Sequence, residues 1–197
     1  MSDSIDSLRG DATARERAAG ILWHQGGSTA RGRQPYLYAI LDAARDPRIY
    51  QGLRGLAATE QIASLYQGRA ARELAAVSPY LVCLGTSDRV FQWIWEQGWG
   101  QSWWIFFWSL VSTETLRSHF RRLTLVQTDG GERLLFRFYD PRVLRPFAPT
   151  CDAAQVKELF GPVQRYMMED ESGSSILTYR VNGDQVTTSV DRLDRDG

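Results

Sequence analysis

The stretch 134–142 constrains the fold most, because a run of apolar and aromatic residues ends there at a proline. No Gly or Pro interrupts positions 134–139, which predicts a β-strand. Pro141 lacks a backbone donor and disfavours the helical conformation at the residue before it, so the strand should end at Asp140. Arg137, Asp140 and Arg142 should therefore cluster at the end of this strand.

Two interpretations of this cluster follow from its chemistry. The end of a strand is a common place for a binding site, and a carboxylate between two guanidinium groups is also a common way to fix a turn. Ion pairs with perturbed pKa values are not confined to functional sites. The residues alone therefore favour the structural interpretation and leave the functional one open.

Apolar runs and helical patterns alternate along the middle of the chain. Residues 36–41, 80–84 and 103–108 are predicted to be strands covered on both faces, with amphipathic helices between them. Residues 124–127 should form a hairpin with the strand 134–139. The alternation predicts an α/β fold with a mixed, partly parallel sheet flanked by helices.

The chain is expected to have three parts. Residues 1–34 should be a flexible N-terminal extension, with a possible helix at 12–24 and a linker in the glycine-rich stretch 26–32. Residues 35–150 should form the α/β domain. Residues 151–197 should form a short α+β extension with a capped helix, a hairpin at Asn182-Gly183 and a polar tail.

Composition narrows the function classes. The chain has 197 residues and a formal net charge of zero, with acidic and basic residues dispersed, so we expect neither nucleic acid nor membrane as a partner. The two cysteines, Cys83 and Cys151, fit no disulfide framework and no metal spacing. Because no secretion signal or membrane span is recognisable, we expect a cytoplasmic protein.

The search for catalytic residues finds little. His24 and His119 are the two histidines, and His119 falls among arginines on a helix, where we expect it to be solvated. No nucleophile motif, metal cluster or nucleotide fingerprint is present, so no cofactor is expected. Asp42 and Asp140 could form an acid–base pair if they meet at a sheet edge. No motif supports that pair, and we expect the protein not to be an enzyme.

Tryptophan is concentrated in one segment. Six of the seven tryptophans lie between positions 93 and 108, a density typical of a core but also of protein interfaces. Trp99 lies between Gly98 and Gly100 and is expected on a loop. It is therefore the best candidate among them for contact with a partner.

Five blocks of the sequence resemble a known family. They are residues 38–44 (YAILDAA), 65–68 (LYQG), 78–82 (SPYLV), 93–100, and 137–144 (RFYDPRVL). In this order they resemble the effector chaperones of the type VI secretion system, also called Tap or Tec adaptors. The resemblance covers about residues 35–147, and the Arg-Phe-Tyr-Asp-Pro-Arg block is its most specific part.

The resemblance implies a function without catalysis. Such adaptors bind a toxic effector in the bacterial cytoplasm and help to load it onto the VgrG spike protein. The resemblance makes one set of residues candidates for partner binding: Trp99, Arg137, Tyr139, Asp140 and Arg142. A second set would hold the fold: Asp42, Pro79, Tyr80, Gly100 and Pro141.

Two other functions stay open. An immunity-type protein would bind the active cleft of a toxin and neutralise it. A hydrolase would use Asp42 and Asp140, and it would require the two carboxylates to converge in a pocket.

Overall fold

The computed structural model describes residues 11–24, 35–56, 62–84, 88–127 and 133–193. The predicted linker at 26–32, the predicted turn at 129–131, the first ten residues and residues 194–197 lie outside this part. The described helices are α1 (Ala12–His24), α2 (Pro47–Leu56), α3 (Gly68–Glu73), α4 (Asp88–Gly98), α5 (Thr113–Thr124), α6 (Pro141–Phe147) and α7 (Ala153–Phe160). Single 3-10 turns lie at Ala75–Val77 and Ala148–Thr150.

The strands form one large sheet and one hairpin. They are β1 (Tyr36–Asp42), β2 (Ile62–Ser64), β3 (Pro79–Cys83), β4 (Trp104–Ser109), β5 (Leu125–Gln127), β6 (Arg133–Leu135), β7 (Val163–Glu169), β8 (Ser175–Asn182) and β9 (Gln185–Arg192). The large sheet has the order β2-β3-β1-β4-β7-β8-β9, and β5 pairs with β6.

The prediction of a partly parallel sheet is wrong, although the class remains α/β. Every pair of neighbouring strands in the seven-stranded sheet is antiparallel. Because β1 is antiparallel to both β3 and β4, these two strands run in the same direction and are connected through α4. The alternation of strands and helices therefore indicated the crossover from β3 through α4 to β4. Because β1 lies between β3 and β4 in the sheet, the hydrogen bonds that each of them makes with β1 are antiparallel.

The central strand β4 divides two cores. Trp104, Phe106 and Trp108 point into the core covered by α1, α2 and α4. Ile105 and Phe107 point into the opposite core, which α5, α6 and α7 cover. All six residues of β4 are buried, as a strand between two helical layers requires.

The strand predicted at 134–139 is shorter in the structure. Strand β6 ends at Leu135, and the Phe136 N–H then donates to the Thr124 carbonyl at 3.0 Å. Phe138 and Tyr139 leave the hairpin and are buried, with the Phe138 ring stacked on Phe120 at 5.4 Å. Burial of these two rings therefore outweighs continued strand pairing.

Residues after 150 extend the main sheet. Helix α7 begins with the predicted capping box of Asp152 and Gln155, and β8 and β9 form the predicted hairpin. The sequence did not predict β7, which pairs with β4. This strand joins the C-terminal hairpin to the strands of the predicted α/β domain, so the large sheet spans both segments.

Candidate functional site

Asp42 ends strand β1 inside the protein. Its side chain is 1% exposed, and its backbone N–H donates to the Trp103 carbonyl at 2.8 Å. One carboxylate oxygen accepts from the Ala44 N–H at 3.1 Å, and the other pairs with the guanidinium of Arg137. Pro79 of β3 lies opposite Asp42 in the sheet. The carboxylate is therefore fixed at the end of three adjacent strands.

Arg137 joins two carboxylates that are far apart in the sequence. Its Nη2 atom pairs with Asp42 and lies 3.9 Å from Oδ2 of Asp140. Asp140 in turn binds Arg142, so the four side chains form one ion-pair network, called here the Asp42–Arg142 network. The side chains of Arg137 and Arg142 are 34% and 49% exposed, whereas both carboxylates are buried.

Asp140 and Arg142 form the start of helix α6. The Asp140 carboxylate accepts from the N–H, Nε and Nη2 of Arg142 at 3.0, 3.1 and 2.7 Å. The same Asp-Pro-Arg tripeptide begins α2, where Asp46 accepts from the same three groups of Arg48 at 2.8, 3.0 and 2.7 Å. The geometry of Asp140 and Arg142 is therefore that of a local helix cap. The contact with Arg137 and Asp42 distinguishes this Asp-Pro-Arg tripeptide from the one at the start of α2.

The two carboxylates of the network differ in their electrostatics. Burial raises the pKa of Asp42 above its ordinary value, in spite of the hydrogen bond from Arg137. Burial also opposes ionisation of Asp140, but the hydrogen bonds from Arg142 outweigh it and lower the pKa of Asp140. Asp140 is therefore the more firmly ionised member of the pair.

Tyr139 lies behind the network. Its side chain is 1% exposed, and burial raises the pKa of its hydroxyl well above the ordinary value. It contacts the hydroxyl of Tyr66, whose pKa burial also raises. Tyr139 and Asp140 are both covered by the protein, so Arg137 and Arg142 are the two predicted partner-binding residues whose side chains reach the surface.

Trp99 lies in the turn after α4, as expected, but the expectation that its side chain is available to a partner is wrong. Its ring is fully buried against Trp95 at 4.4 Å, and its Nε1–H donates to the Gly173 carbonyl at 2.7 Å. The next residue, Gly100, donates its N–H to the carboxylate of Glu169. Trp99 is buried because the turn between β7 and β8 covers the end of α4.

Glu169 is the structural residue that sequence reasoning missed. It is 1% exposed at the end of β7, and its second carboxylate oxygen accepts from the Ser102 N–H. Ser102 has a φ of 55°, and Gly100 has a φ of 74°, so both lie in the left-handed region. The available signal was weak, because Glu169 is the first of three consecutive acidic residues, 169–171, after the short apolar run 166–168. Its partners, being backbone groups, leave no trace in the sequence.

Two remaining expectations can be compared with the structure. The expectation that His119 is solvated is wrong: it is 7% exposed, because α7 and Gly161 cover this side of α5. Tyr80 and Pro141, expected to hold the fold, are buried.

Within the described ranges, no group of three or more His, Cys, Asp or Glu side chains is placed to hold a metal ion. No described helix is long and apolar enough to cross a membrane.

The comparison with family models gives a match over most of the chain. Residues 37–158 match the model of the domain of unknown function DUF4123, which covers more than half of the chain. The chain therefore belongs to the DUF4123 family. The matched segment contains the whole Asp42–Arg142 network and ends before β7. Comparisons with curated proteins and with solved structures found no match.

Proposed function

We propose that this protein is an adaptor chaperone of the type VI secretion system, which binds a cognate toxic effector in the cytoplasm and helps to load it onto the VgrG spike protein. Two things support the proposal. The chain is a DUF4123 protein over residues 37–158, and the block 137–142, which carries the resemblance to such adaptors, lies inside that match.

The observation that carries the proposal is the position of two arginines. Buried carboxylates hold Arg137 and Arg142, yet both side chains remain partly exposed, and the two lie side by side around Asp140. A guanidinium held in this way loses little side-chain freedom when it binds carboxylates or backbone carbonyls of a partner. In the adaptor, Arg137 and Arg142 contact the partner, while Asp42, Tyr139 and Asp140 position them.

The first experiment tests the proposal directly. The protein is co-expressed with a toxin candidate and a VgrG protein encoded beside it, and complexes are measured by size-exclusion chromatography with light scattering. We expect the wild type to co-elute with the toxin and with VgrG. A wild-type protein that retains neither would refute the proposal. A protein that binds the toxin and abolishes its activity but does not bind VgrG would instead be an immunity-type protein.

The second experiment tests the surface. Arg142→Lys keeps the charge but loses the fork of parallel donors, so we expect effector affinity to fall by about tenfold. Arg48→Lys makes the same change in the Asp-Pro-Arg cap of α2 and is the matched control, with unchanged affinity expected. Equal affinities for both variants and the wild type would remove Arg142 from the binding surface.

A further inference from the structure

Two cavities adjoin between helices α5 and α7, on the side away from α1. The larger has a volume of about 480 Å³ and is lined by His119, Arg122 and Lys157 among others. The smaller has a volume of about 240 Å³, and Phe136 and Phe147 line it. Leu123 and Glu158 line both, so the cavities form one continuous surface, called here the α5–α7 trough.

The larger cavity is the basic half of the trough. Arg122 on α5 and Lys157 on α7 are exposed at its walls, and Glu158 is the one acidic residue that lines it. On its floor, the imidazole of His119 hydrogen-bonds the backbone of Leu159. The other ring nitrogen, Nε2, has no hydrogen-bond partner among the described residues. This half therefore combines excess positive charge with one unsatisfied buried polar atom.

Gly161 makes room for the histidine. Its φ of +44° is in the left-handed region, and a Cβ atom at this position would overlap the imidazole ring of His119. The glycine that ends α7 thus leaves space for the His119 ring, and both residues line the larger cavity. The basic half is shaped by the backbone and not only by flexible surface side chains.

The smaller cavity is the apolar half of the trough. The rings of Phe136 and Phe147 meet edge to face at 4.8 Å, and Leu123 and Leu159 complete the apolar lining. Leu134 and Leu135 of the adjoining hairpin are 49% and 48% exposed. Because successive strand residues face opposite sides, at most one of these leucines can lie on the side of the smaller cavity, and the apolar lining itself comes from Phe136, Phe147, Leu123 and Leu159.

We propose that the α5–α7 trough binds an amphipathic segment of a partner protein, with apolar side chains against Phe136 and Phe147 and carboxylates between Arg122 and Lys157. Charge complementarity selects this occupant, because two cations and the single carboxylate of Glu158 line the larger cavity, and an apolar segment alone would leave the excess positive charge without a counter-charge. Apolar anchors beside charged flanks are the usual features of a helix that binds in a groove. No residue of the trough belongs to the Asp42–Arg142 network, so this site does not depend on the adaptor proposal.

The test uses short fluorescein-labelled peptides with leucines at helical spacing. One peptide carries glutamates beside the leucines, and a matched peptide carries lysines at the same positions. By fluorescence anisotropy, we expect the wild type to bind the glutamate peptide at least about tenfold more tightly. The double variant Arg122→Glu and Lys157→Glu should reverse this preference. Separately, Phe147→Ala should weaken binding of the glutamate peptide by about tenfold relative to the wild type.

A matched control separates the local charge from net charge. Arg69→Glu with Arg72→Glu makes the same charge change on the exposed helix α3, and it should keep the wild-type preference. Circular dichroism confirms that each variant is folded. The proposal is overturned if the wild type binds neither peptide or both equally, or if the control variant reverses the preference. It is also overturned if light scattering shows a wild-type dimer that Phe147→Asp separates, since a second copy then occupies the trough.

Discussion

Removal of the Asp140 carboxylate should lower the free energy of unfolding by more than the loss of a helix cap alone. Asp140→Ala removes three hydrogen bonds to Arg142 and the nearby negative charge at 3.9 Å from Arg137. Loss of a helix cap costs about 1 kcal/mol. Breaking a fully buried ion pair costs about 3–5 kcal/mol, but both arginines here are partly exposed and regain water, so we take about 1–2 kcal/mol.

The free energy of unfolding should therefore fall by about 2–3 kcal/mol in Asp140→Ala. For a chain of this size, each kcal/mol lowers the melting temperature by about 2–4 °C, which gives a decrease of about 4–12 °C. Urea unfolding followed by tryptophan fluorescence measures the free energy, and differential scanning calorimetry measures the melting temperature.

The chain contains its own control for this experiment. Asp46→Ala removes the same three contacts at the start of α2, but the Asp46 side chain is 21% exposed and Arg48 is 54% exposed. We expect a loss of about 1 kcal/mol there, mainly from the cap. If both variants lose the same stability, the burial of Asp140 and its proximity to Arg137 contribute nothing, and the reasoning about the network is refuted.

Three further predictions concern other parts of the molecule. Burial lowers the pKa of His119, so below about pH 6.5 the unfolded chain binds a proton more readily than the folded chain. The free energy of unfolding, measured by urea titration, should therefore be highest above this pH and fall below it. His119→Gln should reduce this fall in the free energy of unfolding. An unchanged fall in His119→Gln, or the same reduction in His24→Gln, would contradict its assignment to His119. Gly161→Ala should cost more stability than Gly183→Ala, because both glycines have positive φ but only Gly161 faces the imidazole ring; equal losses would remove the steric argument. Phosphatase, esterase, nuclease and glycosidase substrates should give background rates, and turnover that a folded Asp42→Asn protein lacks would establish the hydrolase instead.

The sequence predicted the elements of this fold better than their arrangement. Apolar runs located β1, β3 and β4, because burial on both faces imposes a continuous run of large side chains. Strand direction depends on which strands become neighbours, and no local pattern records that β1 lies between β3 and β4. Strand β7 was missed because Gln164 and Arg165 interrupt its apolar pattern, although Arg165 is buried with its guanidinium 5.6 Å from the ring of Trp108.

The candidate site shows the same division between local and distant contacts. The cap formed by Asp140 and Arg142 was predictable, because proline fixes the backbone and aspartate accepts from the residue two positions later. Asp42 and Arg137 are 95 positions apart, and nothing in their local sequences specifies that they pair. The exposure of Trp99 was misjudged for a related reason, since residues of the turn after β7 provide its cover.

The local cap and the distant ion pair together determine what the surface can recognise. Asp140 engages the Nε and one Nη nitrogen of Arg142, which leaves the other Nη nitrogen unengaged within the described part of the chain. Asp42 similarly holds Arg137 through one Nη nitrogen. Because the buried carboxylates fix both side chains, their remaining N–H groups have defined directions, as planar recognition of a carboxylate or carbonyl requires. Lysine in either position would keep the charge and lose those directions. The Arg142→Lys variant, compared with its Arg48→Lys control, therefore separates recognition by geometry from recognition by charge.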